Sequence, residues 1–141
     1  MKQSTKITGV SLISITFGIL LGTFFGASAQ DQKVFELRTY TATPGNLDNL
    51  HARFRDHTTR IFAKHGMRVV GYWSPVDEEK AEDTLIYILE HASMEAASAS
   101  WRAFGQDPEW QRVAEASNAD GPILGGIERE YMVATDYSPM Q

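Results

Sequence analysis

The chain has 141 residues, 18 acidic side chains against 13 basic ones for a net charge of −5, and no cysteine. Disulfides, thiolate metal sites and lipidation of a processed N-terminal cysteine are thereby excluded. The acidic balance also argues against nucleic acid as a partner, because phosphate backbones are bound by clustered Lys and Arg.

The N-terminus reads as an export signal. Lys2 and Lys6 precede an uncharged, mostly apolar run from Ile7 to Phe25, which ends in Ala27-Ser28-Ala29, the pattern of a charged n-region, an h-region and a small-residue cleavage site. A transit peptide would be Arg-rich and amphipathic, and Lys2-Gln3-Ser4 offers no twin arginine. An uncleaved anchor is the alternative, but Ser, Thr and Gly interrupt the run and the alanines at 27 and 29 favour cleavage. Residues 1–29 are therefore expected to be a signal peptide and 30–141 the mature domain, exported to the periplasm or secreted, with no membrane association after cleavage. Removing 29 of the 141 residues leaves 112, enough for one core. It also removes Lys2 and Lys6, so 11 basic residues face 18 acidic ones and the mature net charge is −7.

Val34 to Thr41 alternates apolar Phe35 and Leu37 with Glu36, Arg38 and Tyr40 at the period of a strand. Pro44-Gly45 marks a turn and Asn46 stands where it can cap a helix. From Leu47 to His65, the residues Leu47, Leu50, Phe54, Thr58 and Ile61 share one stripe at 100° per residue. Gly66 sits at the position of a helix-ending glycine. Met67 to Trp73 reads as a second strand, followed by Ser74-Pro75 and an acidic turn at Asp77, Glu78 and Glu79. Thr84 to His91, nearly continuous in Leu, Ile and Tyr, reads as a central strand.

Ser93 can cap a helix that places Ala97, Trp101 and Phe104 on one side and is interrupted at Gly105. Asp107-Pro108-Glu109 starts another, with Asp as cap, Pro at the first helical position and an acid in the positively polarised first turn; it runs to about Ala116. A loop from Ser117 to Gly126, a last strand from Ile127 to Thr135 and a loose tail complete the chain.

The order β-α-β-β-α-β is that of a split βαβ motif: an α+β, ferredoxin-like fold with a four-stranded antiparallel sheet and helices on one face. In this topology the first strand lies between the third and fourth. Glu36, Arg38 and Tyr40 are then expected on the uncovered face, where a second copy of the chain would shield them, making the protein a homodimer.

Glu36-Leu37-Arg38-Thr39-Tyr40 with Pro44-Gly45, Lys64-His65-Gly66, Gly71-Tyr72-Trp73, Trp101-Arg102-Ala103-Phe104 and Asp107-Pro108-Glu109-Trp110 together resemble the NIPSNAP family, over about Val34 to Val133. The resemblance implies the dimeric α+β barrel superfamily, whose members include cofactor-free monooxygenases, haem-degrading enzymes, small isomerases and proteins of unknown role. It brings no agreed catalytic residues.

The candidate ligand-binding residues are Glu36, Arg38, Tyr40, His57, Trp73 and Tyr87. Glu36 and Arg38 point the same way from one strand and would orient a polar group on a ligand, with Tyr40 and Tyr87 offering phenol hydrogen bonds. The competing reading is an ion-pair network that fixes a dimer's register. His51 and His57 fall on opposite shoulders of the first helix, at about 40° and 280° from Leu47, and cannot share one metal ion. No metal site and no cofactor are expected, although a single helix histidine, His57 or His51, would serve as axial ligand if the chain bound haem between helix and sheet. Trp73, Trp101 and Trp110 would wall a pocket, with core packing the simpler role for Trp101. The functions consistent with these residues are binding of a small, partly apolar molecule, with cofactor-independent oxygenation or isomerisation in which Arg38 stabilises an anion and Tyr40 or His57 moves a proton, or a non-catalytic dimerising module.

Overall fold

The computed structural model describes residues 32–140, so the export segment lies outside the described residues. Four strands, β1 (Val34–Ala42), β2 (Arg68–Trp73), β3 (Thr84–His91) and β4 (Leu124–Met132), form one antiparallel sheet in the order β2-β3-β1-β4. This is the arrangement expected from the element order, with β1 between β3 and β4. The last strand begins at Leu124, three residues before the expected Ile127, because Gly126 pairs with Thr41 and Leu124 with Ala42, Gly125 lying in the register shift between them.

The first helical segment is continuous but not uniform. It comprises α1 (Leu47–Arg53), a π-helical turn (Phe54–Thr58) and α2 (Thr59–Lys64), with helical backbone at both junctions. The wide turn is matched by two threonine hydroxyls that reach back five residues: Thr58 Oγ1 donates to the Arg53 carbonyl at 3.2 Å and Thr59 Oγ1 to the Phe54 carbonyl at 2.8 Å. Asn46 precedes the helix without capping it, since its Oδ1 accepts from Asn49 Nδ2 instead. Gly66, at φ 74°, ends α2 as expected, with its N–H on the Ala63 carbonyl and that of Met67 on the Phe62 carbonyl.

A one-turn helix α3 (Glu78–Ala81) replaces the acidic turn, capped by the Asp77 side chain. Helix α4 (Met94–Gln106) starts on Ser93, whose Oγ accepts from Ala96 N at 3.0 Å, and runs through Gly105 without a break. Helix α5 (Pro108–Ser117) is capped by Asp107, which accepts from Glu109 N at 2.8 Å. The same carboxylate takes His65 Nε2 at 2.6 Å and Lys64 Nζ at 2.7 Å, so it joins the end of α2 to the start of α5. These contacts hold its pKa well below the ordinary aspartate range, Lys64 contributing most.

The core lies between the helices and the sheet: Leu50, Phe54, Ile61 and Phe62 from the first helical segment meet Tyr40, Leu85, Tyr87 and Leu89 from the strands and Phe104 from α4. It is rich in aromatic rings set edge-to-face, such as Tyr40 against Tyr87 at 5.2 Å and Phe62 against Trp101 at 5.5 Å. Among the described residues no helix is long and apolar enough to cross a membrane.

The facing of β1 is the reverse of the expectation. Glu36, Arg38 and Tyr40 pair with Leu89, Tyr87 and Leu85 on the helix-covered side and are buried there; Leu37 and Thr39 look out with Ile88 and Ile86 on the open face. Alternation alone assigns the polar parity to solvent. Here α4 supplies partners for the polar side chains, and the apolar parity is left for the open face, where residues 133–140 run beside Phe35, Ile88 and Met132.

Candidate functional site

Glu36 is fully buried and its carboxylate accepts three donors: Arg38 Nε at 2.8 Å on one oxygen, and His91 Nε2 at 2.9 Å and Trp101 Nε1 at 2.6 Å on the other. Burial pushes its pKa up, but the hydrogen bonds from His91 and Trp101 and the Arg38 charge outweigh that and leave it below the ordinary glutamate value. The Arg38 guanidinium lies 3.9 Å from the centroid of the Trp101 ring and donates through Nη1 to the Tyr40 hydroxyl at 3.1 Å. Burial disfavours its charge, yet the phenol oxygens of Tyr40 and Tyr87 and the Glu36 carboxylate hold its pKa above the usual value.

His91 ends β3 on the same parity as Tyr87, which brings its ring to Glu36 across the Val34 pairing. Its Nδ1 is buried without a partner. Donation through Nε2 leaves only an acceptor orphaned there, a smaller cost than an orphaned N–H. The Tyr87 hydroxyl is likewise buried and makes no hydrogen bond of its own. Burial, with the neighbouring Tyr40 phenol, pushes its pKa well up, so it stays protonated.

Beside this network a cavity of about 260 Å³ lies between sheet and helices, walled by Tyr40, Arg53, Phe54, Phe62, Phe104 and Trp110 among others. Arg53 is the residue that the sequence did not single out. It is only 8 % exposed, its Nη1 donates to Ser117 Oγ at 3.3 Å, its guanidinium stands 5.4 Å from the Trp110 ring, and its Nε has no partner. Among the described residues it forms no ion pair with a carboxylate, and burial lowers its pKa against the pull of the Tyr40 and Tyr87 oxygens. The π-turn explains its position. A regular helix keeps consecutive residues 100° apart, so Arg53 next to the inward Phe54 falls on a shoulder; the wider turn lets both face in. Thr58-Thr59, five residues after Arg53 and Phe54, is the one local signal that marks it.

Of the residues singled out by sequence, Glu36, Arg38, Tyr40 and Tyr87 come together. Trp73 does not: it pairs with Ile86 on the open face and is 46 % exposed. His57 does not either, because it points outward into a groove of about 480 Å³ between the first helical segment and α5, where Asp56, Arg112 and Asp120 also lie. His51 borders a different groove beside Tyr72. Neither histidine lines the helix–sheet cavity, so the residues do not fit a haem held there by a helix histidine. Trp101, expected as simple core, is half-buried and acts as donor to Glu36 and as platform for Arg38. Among the described residues no group of three or more His, Asp or Glu side chains is arranged to hold a metal ion.

The NIPSNAP family profile matches residues 35–139, the whole of the sheet and its helices. The chain belongs to the NIPSNAP family. Its fold is shared with a NIPSNAP-like domain protein from Burkholderia xenovorans at a TM-score of 0.67 and 16% identity, over 77% of this chain and 90% of that one. A NIPSNAP family protein from Agrobacterium tumefaciens strain C58 gives 0.67 and 19%, over 79% and 96%. A cofactor-independent oxygenase from Streptomyces nogalater gives 0.51 and 18%, over 77% and 98%. Among curated proteins none matches in sequence. At these identities the likeness of this NIPSNAP domain to the solved structures is one of fold, and what the cavity does must be argued from its own residues.

Proposed function

We propose that this NIPSNAP chain is an exported homodimer that binds a small, partly apolar molecule in the cavity between its sheet and helices. The observation that carries the reading is Arg53: a buried cation that lines an aromatic-rich, largely apolar cavity and forms no ion pair among the described residues. Buried charges are nearly always paired, so a buried cation that lines a cavity without a carboxylate favours a ligand that brings the counter-charge. Glu36, Arg38, His91 and Trp101 act behind it by fixing the Tyr40 phenol, which reaches the same cavity.

Catalysis within that cavity, as cofactor-independent oxygenation by dioxygen or as isomerisation of an acidic C–H compound, would require a proton carrier. His57 is outside it, Glu36 is saturated with donors, and Tyr40 is the titratable group left for that role besides the guanidinium. Binding is therefore the function supported best, and turnover would depend on Tyr40.

Homodimerisation rests on the open face. Leu37, Ile86, Ile88 and Trp73 make an apolar patch where a polar strip was expected, edged by Glu128 and Glu130 of β4, and such a patch favours cover by a matching one. A protein whose cavity played no part and whose open face served only to dimerise is the second reading that this surface favours. Native mass spectrometry and absorbance of the purified mature protein separate the two: a co-purified small molecule, lost on Arg53→Met, is the expected result, whereas a ligand-free dimer that takes up no small molecule would leave only the interaction module. A Soret band would restore haem.

A further inference from the structure

We propose that the molecule held in the cavity is a ring-bearing monoanion, a small aromatic or alicyclic carboxylate or enolate, received by the Arg53 guanidinium and the Tyr40 hydroxyl. The inference rests on the cavity being a binding site and specifies what it binds.

Arg53 lines the cavity with a guanidinium that carries one side-chain hydrogen bond, to Ser117, and no ion pair among the described residues. Tyr40 already accepts from Arg38, so its phenol proton is the hydrogen-bonding capacity it has left. Asn118 Oδ1 already accepts from Ile123 N and the Pro122 carbonyl from Thr43 Oγ1, and the Thr58 hydroxyl proton goes to the Arg53 carbonyl. An oxyanion would meet both the guanidinium charge and the phenol proton.

Charge points the same way. Glu36 balances Arg38, and among the described residues Arg53 has no carboxylate, leaving one uncompensated cation in the helix-covered layer. Asp56 and Asp120 border the outer groove that Arg53 also lines, but neither forms an ion pair with it. A single negative charge completes the balance, and a dianion would exceed it.

Size and lining set the rest. Phe54, Phe62, Phe104 and Trp110 give the cavity flat apolar walls. Its volume of about 260 Å³ exceeds the ~150 Å³ that accepts a benzene ring and falls below the roughly 300–1,000 Å³ of drug-sized sites, so one ring with its acidic group fits and a polycyclic body does not.

The probes are benzoate, benzamide and toluene, titrated into the mature protein by calorimetry and ligand-observed NMR. Benzoate should bind at least about tenfold more tightly than its neutral isostere benzamide. Arg53→Met should abolish that preference and Arg53→Lys should retain part of it. Ala114→Leu, which narrows the cavity, should weaken all three probes, with circular dichroism confirming that each variant is folded. Equal binding of benzoate and benzamide, or a preference that survives Arg53→Met, would overturn the anion inference while toluene binding sensitive to Ala114→Leu kept the cavity as a site. Absence of binding by every probe, or binding untouched by Ala114→Leu, would overturn both.

Discussion

Removing the Glu36 carboxylate should be among the most damaging single changes to this domain. Glu36→Ala leaves a buried guanidinium, Arg38, without its counter-charge and strips the acceptor from His91 Nε2 and Trp101 Nε1. Breaking a buried ion pair from one side costs about 3–5 kcal/mol, a third or more of the ~5–15 kcal/mol by which a domain is stable. Urea denaturation followed by tryptophan fluorescence measures it. If the loss comes from the stranded cation, Glu36→Ala with Arg38→Met should cost less than the two single changes combined, by at least about 1 kcal/mol. The pH dependence has a definite sign. The folded-state pKa of Glu36 lies below its unfolded value of about 4.3, so its contribution is complete above that pH and is lost as the pH falls through the folded value. The stability gap between wild type and Glu36→Gln should therefore shrink below about pH 4. A cost under about 1 kcal/mol for Glu36→Ala, or strictly additive single changes, would refute the idea that this network is internally compensated.

Arg53→Met should leave the melting temperature unchanged or raise it, since it replaces a buried cation lacking a carboxylate with an apolar chain of similar length; a clear drop on calorimetry would mean that the Ser117 contact and the Trp110 stacking dominate. Ile88→Asp on the open face should convert a dimer to a monomer in sedimentation velocity while keeping the far-ultraviolet spectrum, and a dimer that survives would place the interface elsewhere. Asp107 has a folded-state pKa far below its unfolded value, so the advantage of wild type over Asp107→Asn should be full at pH 5–7 and shrink steadily as the pH falls below about 4 toward the folded value; thermal melts across that range check it.

Much of the fold was legible because its local signals agree with one another. Ser93, Asp107-Pro108 and Gly66 stop and start helices where their chemistry requires, and the apolar run at 84–91 is the central strand it reads as. The glycines at 125 and 126 misplaced one boundary, since a residue that usually ends a strand here continues it beside Thr41. What local pattern could not decide was the facing of β1. A period of two says that Glu36, Arg38 and Tyr40 share a side with one another and not with Leu37. Which side the helices cover depends on Trp101, sixty-five residues later, donating its indole N–H into the sheet. Arg53 was hidden for a different reason: the extra residue in the π-turn breaks the 100° arithmetic by which a helical face is read.

The two arginines of the covered layer show why one of them calls for a function and the other does not. Arg38 is accounted for by folding alone: carboxylate, indole face and phenol surround it, and each group also satisfies another. Its neighbourhood would be kept in a protein that bound nothing. Arg53 sits equally deep, in an acidic chain, and yet among the described residues no carboxylate pairs with it. A cation held out of water without a counter-charge works against stability, and the Ser117 hydroxyl and Trp110 ring offset that only in part. A methionine or leucine at 53 would fill the same space without that cost, which is the reason for the proposal that the guanidinium serves a ligand. The π-turn, which gives up regular helical geometry to aim it inward, belongs to the same explanation.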